Sequence, residues 1–139
     1  MPRAVALHAA VALAAFAGAF FVERPAAGFH LVLAVGIMPL ILAAMTYFVP
    51  VLTRTGVAPA WTVLAPGLGL TAGLAVFAAF STGAAWLFVA AAGGGMLAAI
   101  AVGAWALWRA GEGVTEPHAC FRWYLAALGC LVLALGATL

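Results

Sequence analysis

Five apolar runs, each close to twenty residues long, follow one another along the chain from about 4 to 22, 29 to 49, 60 to 80, 84 to 108 and 119 to 138. Among the charged residues only Arg122 falls inside a run. A helix rising about 1.5 Å per residue needs roughly 20 apolar residues to cross a hydrocarbon layer of about 30 Å, so each run reads as a membrane span. The rest of the composition excludes a water-facing domain. Such a domain carries about a quarter charged residues, whereas this chain has 6%, is 69% apolar, and contains no Lys, Asp, Asn or Gln. Backbone amides in lipid must pair internally, which leaves helices or a closed barrel. Barrel strands alternate in polarity, and these runs do not. The expected fold is all-α: a polytopic transmembrane bundle of five helices, a single membrane domain over 1–139 with the lipid bilayer as its main partner.

The breaks between runs have a chemical basis. Glu23-Arg24-Pro25 ends the first, and Pro50 with Thr53-Arg54-Thr55-Gly56 ends the second. Ser81-Thr82-Gly83 is a short turn that makes the third and fourth helices an antiparallel hairpin. The stretch from Arg109 to Pro117 is the one long polar loop. Five spans put Arg3, Arg54, Arg109 and Arg122 on one side and Arg24 alone on the other. The positive-inside rule then places the N-terminus in the cytoplasm and the C-terminus outside. Trp61, Trp86, Trp108 and Trp123 lie near run ends, as an aromatic belt requires, and Trp105 is one turn from Trp108. An alternative for the first run is a cleaved signal peptide ending near Ala17-Gly18-Ala19, which would leave four helices.

Small residues should set the helix packing. Gly69 and Gly73 are one turn apart with Gly67 beside them, and Gly93-Gly94-Gly95 is expected to interrupt the fourth helix. Tight packing is the main reading of these glycines, and space for a flat cofactor is the other. Pro39 and Pro66 each remove a backbone hydrogen bond and are expected to kink their helices. Cys120 and Cys130 are too far apart on one helix to pair and read as small apolar residues.

Three histidines, His8, His30 and His118, are the candidate cofactor-binding residues. Ionisable groups in a membrane are costly and usually have a role, and neutral imidazole ligates metals and haem. Each also lies near a run end, where water or headgroups would satisfy it. His8 and His30 belong to opposite membrane ends, so they cannot be the two axial ligands of one haem. His8 and His118 share an end and could meet. No catalytic constellation is present: Glu23, Glu112 and Glu116 all lie between runs, and no glycine loop precedes a lysine. The slight positive charge follows from topology and implies no nucleic-acid partner.

The second run and its exit read His30-Leu-Val-Leu-Ala-Val-Gly36-Ile-Met-Pro39, continuing to Tyr47-Phe-Val-Pro50-Val-Leu-Thr53-Arg54-Thr-Gly56. This segment resembles part of the bacterial multi-span proteins related to NnrS and to subunit I of haem–copper oxidases. The resemblance implies His30 as a metal ligand, haem b or copper as cofactor, and a role in electron transfer or nitric-oxide handling. Those proteins are longer and carry histidines on several helices, so this chain reads as a short relative or a fragment. Two other functions fit the composition. One is a non-catalytic subunit or assembly factor, meeting other membrane subunits or its own copies. The other is a small transporter built on the kinked helices, although five spans do not divide into an inverted repeat.

Overall fold

The computed structural model describes residues 2–113 and 116–139, so the middle of the polar loop before the last helix lies outside the described residues. The fold is an all-helical bundle. Helix α1 is Pro2–Ala19, α2 is Pro25–Thr53 and α3 is Ala60–Thr82. Helix α4 is Ala85–Glu112, and α5 is Cys120–Gly136. By length and composition α2, α3 and α4 are able to cross a membrane, whereas α1 and α5 are apolar but shorter. The five expected helices are all present, with α1 and α5 at the short end of the length a span needs. Phe20 and Phe21 leave α1 in a turn, and α5 closes at Gly136, so both stop short of about 20 residues.

Proline chemistry explains the irregular turns. Pro25 opens α2 four residues earlier than expected, because a proline at the first helical position loses no bond. Pro39 has no N–H to give Val35. The turn ahead of it, Leu31–Ile37, is a π-helix in which the Met38 N–H reaches back five residues to the Leu33 carbonyl. Pro66 likewise follows a tight turn. Ala60–Val63 is a 3-10 segment in which the Thr62 N–H and hydroxyl both donate to the Pro59 carbonyl, at 3.1 and 2.7 Å. Pro50 does not end α2 as expected. The helix runs on to Thr53 and stops at Arg54, whose φ of 54° is left-handed and turns its N–H back to Pro50 and Val51.

Glycines set the helix spacing. A Cβ on Gly36 would stand 3.2 Å from the Ala12 Cα, so α1 lies close against α2. A Cβ on Gly69 would stand 2.7 Å from a Leu42 methyl, and one on Gly73 would overlap the Ala34 carbonyl. Helix α3 therefore rests backbone to backbone on the π-helical turn of α2. The triple glycine does not interrupt α4, which is continuous through 28 residues. In lipid an opened turn would leave amides unpaired, and that outweighs the flexibility of glycine. Gly95 instead admits Leu135 of α5 and Met38 of α2. Leu42, Met45, Val49, Val102, Trp105 and Leu128 fill the core between α2, α4 and α5.

Two sets of contacts separate the bundle ends. At one end Arg24 Nη1 donates to the Phe80 carbonyl at 2.7 Å, joining the start of α2 to the end of α3. At the other, Arg109 Nη2 donates to the Gly56 and Val57 carbonyls at 3.0 and 2.9 Å, and the His118 N–H donates to the Leu52 carbonyl at 2.8 Å. The Ser81–Gly83 hairpin forms, with Gly83 left-handed at φ 74° and its N–H on Ala79. Trp61, Trp86, Trp108 and Trp123 are exposed, as belt residues should be. Trp105 is not one of them: it is 3% exposed and packs edge-on to Trp61.

Candidate functional site around His30

The first turns of α2 place Ala27 and Gly28 on the packed side, and His30 comes out at the rim of the bundle, exposed. Its ring lies against Phe80 of α3, with centroids 4.6 Å apart, and Phe80 meets Phe88 of α4 edge-on at 5.0 Å. Nδ1 is 2.8 Å from the Ala26 carbonyl. A carbonyl can only accept, so Nδ1 carries a proton, and in the neutral ring Nε2 is the nitrogen with the lone pair. A carbonyl on the other ring nitrogen is the usual way a metal-binding imidazole is held.

His30 stands at one end of a cavity of about 150 Å³ between α2, α3, α4 and α5. Ala34, Ala72, Gly73, Ala91 and Ala92 form its walls, Met38 also lines it, and Thr138 lies on its border. The small walls and the Gly73 contact leave the space open. The π-helical turn that begins at Leu31 forms one side, and such turns are frequent at functional sites.

The other two histidines are elsewhere. His8 is buried on α1, with Nδ1 2.8 Å from the Ala4 carbonyl, so it is not the water-facing group that its position near a helix end allowed. His118 is exposed and accepts the Cys120 N–H on Nδ1 at 3.3 Å, which puts its proton on Nε2 and leaves no lone pair for a ligand. Sequence position leaves His8 and His118 free to meet, yet their ring nitrogens bond to different neighbours, Ala4 and Cys120. Among the described residues no group of three or more His, Cys, Asp or Glu stands together as a metal site. Cys120 and Cys130 are free and exposed.

Sequence reasoning missed two features. Met38 lines the His30 cavity, two i+4 steps along α2 from His30 through Ala34. Arg109 counted as a topology signal, but its guanidinium holds the α2–α3 loop and also pairs with Glu112 at 3.1 Å. One turn apart on α4, the Trp105 Nε1 and Arg109 Nε atoms are covered and have no acceptor. No protein-family model, curated protein or solved structure matches the chain. The NnrS-like and oxidase-like resemblance therefore stands on the segment from His30 to Gly56 alone.

Proposed function

We propose that the chain is a small integral membrane protein that holds a copper ion at His30, in electron transfer or nitric-oxide handling. The observation that carries this is the His30 imidazole, whose Nδ1 is tied to the Ala26 carbonyl and whose Nε2 is left for a ligand at a cavity between four helices. Of the two groups the resemblance implies, copper fits the space better. A cofactor of haem size occupies a pocket of about 300–1,000 Å³, and this cavity measures about 150 Å³. Imidazole suits copper, whereas the Met38 thioether lies against Gly69 and Gly95, away from the His30–Phe80 level, so further donors would come from another chain. Bound copper would supply one-electron chemistry, while His30 orients it and the apolar walls exclude water. In metal-loaded membranes, His30→Ala should lower bound copper at least tenfold by elemental analysis, and His118→Ala should leave it unchanged. Equal copper in both variants, or no copper and no visible band in the parent, rejects the reading.

A second reading is a non-catalytic subunit of a larger membrane complex. Its support is that no group of three or more His, Cys, Asp or Glu stands together among the described residues, so a complete coordination sphere would draw on another chain. Native pulldown should then recover a partner in fixed ratio. The resemblance supports a bacterial inner membrane as the location, and arginine placement supports the Arg54 and Arg109 end as cytoplasmic. Single cysteines introduced at Gly56 and Ala26, with the native cysteines replaced, should label from the cytoplasmic and external sides respectively. Labelling of both from one side overturns the topology.

A further inference from the structure

The geometry points to a second use of the His30 cavity: a seat for one aromatic ring carrying a hydroxyl, the phenol and hydroquinone class. This goes beyond the copper reading and needs no metal. Size is the first argument. The space of about 150 Å³ matches the apolar cavity volume, also about 150 Å³, that takes one benzene ring. The walls are the second. Ala72, Ala91, Ala92, Val76 and Phe88 offer an almost wholly apolar lining, the surface that favours a flat hydrocarbon ring.

Hydrogen-bond polarity sets the substituent. Both polar side chains bordering the cavity are acceptors. His30 lines the cavity, and in the neutral ring, whose Nδ1 donates to the Ala26 carbonyl, Nε2 is the nitrogen left to accept. The Thr138 hydroxyl donates to the Leu135 carbonyl at 2.6 Å, which leaves only its oxygen lone pairs. A ligand seated here must therefore donate. A ring hydroxyl does so, while an ether or a quinone carbonyl would face acceptors with an acceptor. Recognition of this kind selects a reduced, hydroxylated ring over its oxidised form. A ligand of this class dissolves in the bilayer, and His30 is exposed at the rim of the bundle.

The test uses phenol against anisole, in which a methyl group replaces the donor hydrogen. The full chain in detergent, with chelator present, is labelled at its methionine methyls, and the Met38 signal is assigned with Met38→Leu. Phenol should shift Met38 saturably at roughly fivefold lower concentration than anisole, the worth of one hydrogen bond. His30→Ala should bring the ratio close to one, and Ala72→Phe should abolish the saturable response to both. The Met45 signal, from the core, should stay in place throughout and report that the variants are folded. Equal half-saturation for the two ligands, a preference that survives His30→Ala, or Met45 shifting in parallel with Met38 would overturn the proposal. Because metal is absent from this measurement, its failure leaves the copper reading standing, and loss of the copper reading leaves this one intact.

Discussion

Gly73→Ala is expected to destabilise the bundle by about 3 kcal/mol, the upper end of the range for overpacking. The reason lies in what the new methyl meets. A Cβ at this position overlaps the Ala34 carbonyl and stands 2.8 Å from the Val35 nitrogen, both backbone atoms of the π-helical turn. A crowded side chain can rotate away, but a backbone carbonyl inside a helix cannot, so α3 must move off α2. That movement also opens the His30 cavity, which Gly73 and Ala34 line together. Gly67→Ala is the control. It lies on the same helix and has nothing within 4 Å of its Cβ position, so its effect should stay within about 0.5 kcal/mol. Unfolding midpoints in mixed micelles separate the two. Similar midpoints for both variants would mean that the close approach of α2 and α3 is not what sets their spacing.

The second large effect is expected at Arg109. Arg109→Met should cost about 2 kcal/mol, because hydrogen bonds to a charged donor contribute about 1.5–3 kcal/mol each and partial exposure weakens them. Its Nη2 spans the Gly56 and Val57 carbonyls, fastening the end of α4 to the α2–α3 loop. Glu112→Gln removes only the ion pair with an exposed carboxylate and should cost less than about 1 kcal/mol. Proteolytic nicking near Gly56 should rise in the first variant and not in the second. If Glu112→Gln is as damaging as Arg109→Met, the ion pair and not the carbonyl clamp ties the loop.

How much was legible in advance divides along physical lines. Apolar runs and their breaks are local properties, so the helices and the hairpin at Gly83 were readable from residue order. The segregation of Arg24 from Arg54 and Arg109 follows from helix count alone. Helix ends were less readable. Pro25 and Pro50 look alike as breakers, yet one opens α2 and the other sits inside it, because each depends on which neighbouring amides find partners. The glycines divide in the same way: Gly69, Gly73 and Gly95 face another helix, while Gly67 and Gly93 face open space. Nothing within the sequence motif distinguishes them.

The histidines show where residue order stopped being informative. Sequence spacing assigned His8, His30 and His118 to their bundle ends, since rise along a helix is set by residue number. Which nitrogen of each ring carries the proton was decided by the carbonyl or amide beside it. The cavity that joins His30 to Met38 and Thr138 came from the packing of four helices. Composition by itself determined that this chain lives in lipid, because too little of it is polar to face water. Only the tertiary structure decided which imidazole borders an open space, because that depends on residues far apart in the chain meeting at one end of the bundle.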